Sequence, residues 1–375
     1  MSLPSPAILA PRRKSRRIYV GKVAVGSGAP ITVQTMTKTD TRDARATIAQ
    51  ILSLERAGCD IIRVAVPDEA AARALGPIRR AIHIPLIADI HFNYRLALLA
   101  LSAGADGLRI NPGNIGSRAN VAEVVRAARE RKIPIRIGVN AGSLESAILA
   151  KYGGATAKAL VASAVKHARI LEDLDYREIK ISVKASDAAR TVQAYRLLAK
   201  ATDYPLHLGV TEAGTLLTGT VRSCTAVGIL LAEGIGDTLR ISLTEPPERE
   251  VKVGLEILRA LRLRPPGASV IACPTCGRIE IDVMDLAHRV EEALATLARA
   301  QPQAAWPVVA VMGCMVNGPG EAREADIAIA GGKDKAALYV DGIYRTTVKE
   351  ENIVPELLRL VRAYIKNKKI KARAD

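Results

Sequence analysis

Eight short runs of β-branched and aliphatic residues recur between positions 31 and 244, with helical patterns between or after them. They are ITVQTMT (31–37), IIRVAV (61–66), PLIADIH (85–91), GLRIN (107–111), PIRIGVN (134–140), EIKISVK (178–184), PLHLGVTE (205–212) and DTLRISLT (237–244). In stretches such as TRDARATIAQILSLERAG and EREVKVGLEILRALRL, apolar residues return every three or four positions, the period of a helix with one buried face. Alternation of this kind builds parallel strands covered by helices. Eight units over roughly 240 residues predict a TIM barrel. A doubly wound open sheet is the competing α/β fold, and the missing G-x-G-x-x-G turn counts against it. Aromatics make up only 3% of the chain, so the core is built from Val, Ile, Leu and Ala, which suits buried parallel strands. The long step from the fifth run to the sixth leaves room for an extra short helix near GSLESAILAKYGGAT.

After the eighth helix, LRPPGAS (263–269) reads as a linker. The expected organisation is a basic tail (1–20), a barrel (21–262), the linker, a small α+β domain (270–366) and a second basic tail (367–375). In the small domain, strands are expected at SVIACP, WPVVAVMG, ADIAIAG and AALYVDG, with helices near 283–298 and 353–366.

The net charge of +16 raises the question of nucleic acid, but residues 1–20 and 366–375 carry nine of those charges. Both ends are expected to be mobile, and no aromatic-interleaved basic motif of the RNA-binding kind is present. No nucleic-acid partner is therefore expected. The chain has no run of about 18 apolar residues, so no membrane span is expected either. Its opening cations follow a very short apolar stretch, the reverse of a secretory leader. Five unevenly spread cysteines do not form a disulfide framework, and a reducing cytoplasm is the expected location.

Side chains two apart on a strand share a face. Arg109 shares one with Asn111, Arg136 with Asn140, Lys180 with Ser182 and Lys184, and Arg240 with Ser242 and Thr244. Arg63 lies in the second run, and Asp89, His91 and Asn93 end the third. Structural ion pairs with Asp89 or Asp106 would explain any one of these cations. They do not explain the group, because the cations outnumber the carboxylates and unpaired buried charge is costly without an anionic guest. At the C-terminal ends of barrel strands that guest is the substrate, and guanidinium forks fit phosphate oxygens. The loop NPGNIG (111–116) adds glycines whose backbone N–H groups would approach phosphate. Glu212, in GVTEAG, ends the seventh run, where it is a general acid or base or a salt-bridge partner.

Cys273 and Cys276, in CPTCGR, have the form of a zinc knuckle or a cluster loop, but Cys314 in GCMVNGPGE stands alone. No histidine follows Cys314, and His288 reads as a surface or packing residue. Cys59 and Cys224 read as buried apolar thiols. Three thiolates with one oxygen ligand suit a [4Fe–4S] cluster that does chemistry, because a carboxylate is the more exchangeable ligand. Glu321 is the nearest candidate for the fourth corner, and spacing leaves Glu324 and Asp326 as competitors.

Taken together and in order, VQTMT, ADIHFN, LRINPGNIG, IRIGVNAGSLE, ISVKAS, LHLGVTEAG, GDTLRISLT, CPTCGR and GCMVNGPGEA closely resemble the bacterial 4-hydroxy-3-methylbut-2-enyl diphosphate synthase family of the non-mevalonate isoprenoid pathway. The resemblance covers nearly the whole chain except the tails. It implies reductive dehydroxylation of 2-C-methyl-D-erythritol 2,4-cyclodiphosphate, with electrons from reduced ferredoxin or flavodoxin. It also implies a [4Fe–4S] cluster on Cys273, Cys276, Cys314 and Glu321, and a catalytic Glu212. Arg63, Arg109, Arg136, Lys184, Arg240 and Ser242 match the family's diphosphate pocket, with Asn111, Asn140 and His207 as neighbours. The implied assembly is a homodimer in which one chain's cluster domain closes over the other chain's barrel. Two other readings compete: a metal-assisted lyase on a phosphosugar with a structural zinc, and a basic RNA-binding protein with a zinc knuckle.

Overall fold

The computed structural model describes residues 9–265, 267–301, 304–316, 320 and 325–374. The chain divides into two compact units, Met1–Arg264 and Pro265–Asp375.

The first unit opens with an antiparallel hairpin, β1 (Ile18–Val20) and β2 (Val23–Val25). Then follow the eight barrel strands: β3 (Thr32–Met36), β4 (Ile61–Ala65), β5 (Leu86–Asp89), β6 (Gly107–Ile110), β7 (Ile135–Asn140), β8 (Ile179–Lys184), β9 (His207–Leu208) and β10 (Thr238–Leu239). All pair in parallel, in the order β8-β7-β6-β5-β4-β3-β10-β9, and a bridge from Ile181 to Leu206 closes the ring. Each strand falls inside one of the eight sequence runs. The helices are α1 (Ala44–Arg56), α2 (Glu69–Ala81), α3 (Tyr94–Ser102), α4 (Arg118–Glu130), α5 (Ser146–Tyr152) and α6 (Ala157–Glu172). They continue with α7 (Ala188–Ala201), α8 (Leu216–Ala232) and α9 (Pro247–Ala260). The extra helix expected after the fifth run is α5.

Alternation along the strands sorts the side chains. Val33, Ile62, Val64, Leu86, Ala88, Leu108, Ile110, Ile135 and Ile137 face outward into one apolar core with the helices. Arg63, Asp89, Arg109, Arg136, Lys180 and Lys184 occupy the opposite set of positions and point into the barrel.

Three aspartates fasten the barrel's N-terminal end. Asp60, Asp106 and Asp237 each stand one residue before a strand and accept a backbone N–H from its neighbour, from Val33 at 2.7 Å and from Leu86 and Leu206 at 2.9 Å. Arg264, Arg79 and Arg12 pair with them in turn. This corrects two sequence expectations. Asp106 belongs to this ring, 2.7 Å from Arg79, and not to the interior cations. The N-terminal stretch read as mobile is fixed from residue 9 onward. Ala10 N–H and Arg13 N–H donate to Ala232 and Gly234 carbonyls at 2.8 Å, and Arg13 Nη1 donates to Thr202 O at 2.7 Å. The cause is the ends of α7 and α8, which present carbonyls that the arginines satisfy.

In the second unit, β11 (Ser269–Ala272), β12 (Val308–Met312) and β13 (Ile327–Gly332) run parallel, and β14 (Lys335–Val340) and β15 (Ile343–Lys349) continue the sheet antiparallel. Helices α10 (Val283–Ala300) and α11 (Ile353–Ala374) bury Val290, Leu294, Leu357 and Val361 against it. Strand β15 was missed because it is a largely exposed edge without clear alternation. Its signal is the Asp341-Gly342 turn, both residues at positive φ, the chemistry of a two-residue hairpin. Helix α11 also extends well past residue 366, through part of the expected tail.

Candidate active site

Parallel register places Asp89, Arg109, Arg136 and Lys180 side by side across β5 to β8, and Asn140 beside Lys184 two inward positions further along. Arg63 enters from β4, His207 from β9 and Arg240 from the end of β10. Two glycines make room. A Cβ on Gly138 would stand 2.6 Å from Arg109 Nε, and one on Gly209, at φ +153°, would stand 2.7 Å from Lys184 Nζ.

Six interior cations thus face two carboxylates, Asp89 and Glu250. Asp89 lies 3.3 Å from Arg109 and 3.6 Å from Arg63. Glu250, in the first turn of α9, lies 3.2 Å from Arg240 and also accepts from Thr35 Oγ1 at 2.6 Å and Leu243 N–H at 3.1 Å. Sequence reasoning missed Glu250. Its signal is an acidic residue just after a Pro-Pro helix start, where a carboxylate is stabilised.

Charge dominates the local chemistry. Burial would raise the Asp89 carboxyl, but Arg63, Arg109 and Arg136 together hold it below the usual carboxylate range. Burial, then the neighbouring Arg63 and Arg109, draws Arg136 well below its ordinary value. Lys184 is lowered in the same way by burial, Arg136 and Arg240. Lys180 falls to about 7 through burial and Arg136. His207 is driven well down by burial, Lys184 and Arg136, and is therefore a neutral imidazole; its Nδ1 lies 2.6 Å from Thr238 Oγ1. Arg136 Nε and Nη1, Lys180 Nζ and His207 Nε2 are buried without a hydrogen-bond partner. Such a group of donors is complementary to a compact anion with many oxygens.

Several expected binding residues are already engaged. Both ends of the Asn111 amide pair with the Gly138 backbone, at 2.9 and 3.0 Å, which makes Asn111 a clamp between β6 and β7. Ser242 Oγ accepts from Arg240 Nη1 at 2.6 Å. In the NPGNIG loop, Gly113 N–H donates to His167 and Asn114 N–H to Asn111 O, so neither is free for phosphate. His91, half exposed, covers Arg109 Nη1 at 3.1 Å. Glu212 is exposed on the loop after β9, outside the buried cluster, and is held at φ +51°. A left-handed glutamate is uncommon, and such strain concentrates at working sites.

In the second unit, Cys273 Sγ accepts Gly313 N–H at 3.4 Å, which sets Cys314, the next residue, close along the chain. Cys276 is exposed; its thiol is lowered by the Arg278 backbone N–H and by the Arg278 guanidinium, and the preceding Thr275 has φ +65°. Free cysteines with backbone N–H donors nearby fit an iron–sulfur cluster. Among the described residues, no three His, Cys, Asp or Glu side chains are grouped closely enough for a single metal ion. A cluster does not need that spacing, because its own irons and sulfides stand between the ligands. Asp326 is removed from the ligand candidates: its carboxylate accepts from Val308 N–H at 2.8 Å and from the Tyr364 hydroxyl. Glu321 and Glu324 lie outside the described residues. Cys59 is buried, with its thiol pushed up to about 12 by burial, whereas Cys224 is exposed on α8 and not buried as expected.

With its closed βα barrel, cationic barrel interior and separate cysteine-bearing α/β unit, the chain is a two-domain barrel enzyme. The chain belongs to the GcpE family: residues 15–255 match the GcpE TIM-barrel domain and residues 269–363 the GcpE protein C-terminal domain. It is 57% identical over 357 residues to a 4-hydroxy-3-methylbut-2-en-1-yl diphosphate synthase (flavodoxin) of Geobacter sulfurreducens, covering 95% of this chain and 99% of that protein. The synthase of the same name from Thermodesulfovibrio yellowstonii is 55% identical over 352 residues, 94% of this chain and 99% of its own. That of Maridesulfovibrio salexigens is 53% identical over 359 residues, 96% and 99%.

Proposed function

We propose that the barrel interior binds 2-C-methyl-D-erythritol 2,4-cyclodiphosphate and that the chain converts it reductively to 4-hydroxy-3-methylbut-2-enyl diphosphate. The observation that carries this reading is the excess of cations over carboxylates inside the barrel, with Arg136 and Lys180 lacking partners. In the reaction the C2–O bond to phosphate and the C3–hydroxyl bond break. Two electrons enter, the hydroxyl leaves as water with one proton, and the freed diphosphate gains one negative charge. Arg63, Arg109, Arg136, Lys184 and Arg240 hold the two phosphates, and their charge stabilises the diphosphate as it leaves C2. Asn111 and Ser242 act one step back, by fixing Gly138 and Arg240. Asn140 and His207 line the same interior, His207 as a neutral donor or acceptor. Glu212 delivers the proton to the departing hydroxyl.

Cys273, Cys276 and Cys314, with Glu321 as an exchangeable oxygen ligand, would hold a [4Fe–4S] cluster, which would supply one-electron transfer. Reduced flavodoxin or ferredoxin is the donor, and the working assembly is a homodimer. No described helix is long and apolar enough to cross a membrane. Anaerobic purification followed by incubation with the cyclodiphosphate and a chemical reductant tests the reading, with product followed by mass. Brown protein with iron, acid-labile sulfide and the linear diphosphate is expected. Stoichiometric zinc without iron, or an untouched cyclodiphosphate, would overturn it.

A further inference from the structure

His167 is a titratable side chain that the mechanism above leaves unused. It lies on α6 and is 2% exposed. Its Nδ1 accepts the Gly113 backbone N–H at 3.1 Å, which places the ring proton on Nε2. Nε2 in turn lies 3.4 Å from Glu145 Oε1. The other oxygen of Glu145 accepts from Ser163 Oγ at 2.7 Å, and Ser163 stands one helical turn before His167. Glu145 occupies the N-cap position of α5. Contact on the Gly113 side is close: a Cβ there would stand 2.8 Å from the ring carbon Cε1.

We propose that His167 is a positioning residue for the reaction, bridging the loop after β6 to the loop after β7 and so fixing the side chains that those two strands carry to the barrel mouth. Gly113 follows Asn111 by two residues, and Asn111 clamps Gly138, whose carbonyl also accepts Arg109 Nη2 at 2.8 Å. On the other side, Asn140 leads through the single turn Ala141–Ser143 to Glu145. The bridge therefore completes a circuit of polar contacts around Arg109, Asn111 and Asn140. An ordinary packed core histidine needs neither a specific tautomer nor a polar partner beside each ring nitrogen.

The tautomer makes the bridge sensitive to acid. Burial lowers the His167 imidazole; Glu145 opposes this and Lys166 adds to it, these two being the charged groups that act on the ring. The bridging form is neutral. Protonation would put an N–H on Nδ1 facing the Gly113 N–H, two donors in opposition, and the loop would let go.

The proposal rests on reading the barrel mouth as the cyclodiphosphate site, and two substitutions separate the roles. In His167→Asn the amide oxygen falls where Nδ1 was and keeps the Gly113 bond. In His167→Gln the amide nitrogen falls where Nε2 was and keeps the Glu145 contact. His167→Ala and His167→Gln are expected to raise KM for the cyclodiphosphate roughly tenfold at unchanged iron content, with His167→Ala also melting lower because it leaves a cavity at a buried position. His167→Asn is expected to stay within about threefold of wild type and to lack the rise in KM expected of wild type as pH falls. Hydrogen–deuterium exchange of residues 112–116 supplies a readout independent of turnover: faster in the Ala and Gln variants, unchanged in Asn. An Ala variant with wild-type KM, or an Asn variant as impaired as Ala, overturns the proposal. If wild type does not turn over the cyclodiphosphate, the functional reading falls, and the exchange data alone decide the bridge: equal exchange in all three variants sinks it.

Discussion

Asp89 Oδ1 lies 3.3 Å from Nη1 of Arg109, and Asp89 is the one carboxylate in the five strands β4 to β8. It is a partial counterion to a cluster that is otherwise short of negative charge. Removing it leaves Arg63 and Arg109 buried without an anion, so Asp89→Asn should destabilise the ligand-free protein by about 3 kcal/mol. The loss should shrink when the diphosphate substrate is bound. Because the folded-state value of Asp89 is depressed, its contribution is fully present above the ordinary carboxylate range and fades only in acid below it. Denaturant titration at neutral pH, with and without substrate, measures both effects; equal losses in the two conditions would remove Asp89 from the anion site.

Lys180 should behave in the opposite sense. Its ammonium is buried without a partner and titrates near 7, against an ordinary value of 10.5. Between those values the unfolded chain binds the extra proton, so stability should rise with pH across that window. Lys180→Met should raise the melting temperature of the ligand-free protein, by the equivalent of about 1–3 kcal/mol, and should flatten this slope. The same substitution should weaken substrate binding. A less stable variant with unchanged affinity would mean that Lys180 is satisfied by something other than the ligand. In wild type, an arriving diphosphate should draw a proton onto Lys180. Calorimetry at pH 8 in buffers of differing ionisation enthalpy is expected to show net uptake.

Gly138 shows how backbone and charge are coupled here. Its carbonyl accepts from Arg109 and Asn111, and its missing side chain is the space that the Arg109 guanidinium fills. Gly138→Ala should push Arg109 out of register and cost roughly tenfold or more in kcat/KM, the loss of one charge-assisted contact. Stability should change far less than activity. A variant with intact kcat/KM would show that Arg109 does not hold the substrate.

What the sequence revealed follows from what a local pattern can carry. The eight strands were legible because apolar and polar residues alternate on them, and the interior cations because Arg and Lys stood where a barrel should be apolar. Glu250 was not, because its partner Thr35 stands 215 residues away on β3 and only closure of the barrel brings them together. His167 was invisible for the same reason: Gly113 and Glu145 are 54 and 22 residues away in sequence. The N-terminal arginines misled because a run of cations reads as solvated until the helix ends that accept them are known. The Gly113 N–H looked available for phosphate, and only the fold shows it already donated to His167.

Glu212 combines exposure with a left-handed backbone at φ +51°. Glu212→Gln keeps the shape and the backbone and removes only the ionisable proton, so turnover should fall by about 10²- to 10⁴-fold with cluster and stability unchanged. Glu212→Gly removes the side chain and relieves the backbone. It should abolish turnover while stabilising the fold by up to about 1 kcal/mol, strain relief offset in part by glycine's freedom in the unfolded chain. Single-turnover rates with a chemical reductant and thermal melts of both variants decide the matter. Near-normal rates in the Gln variant would deny Glu212 its role as acid. A glycine variant that melts well below wild type would mean that the glutamate is held by contacts, and that its backbone conformation is not a strain kept for catalysis.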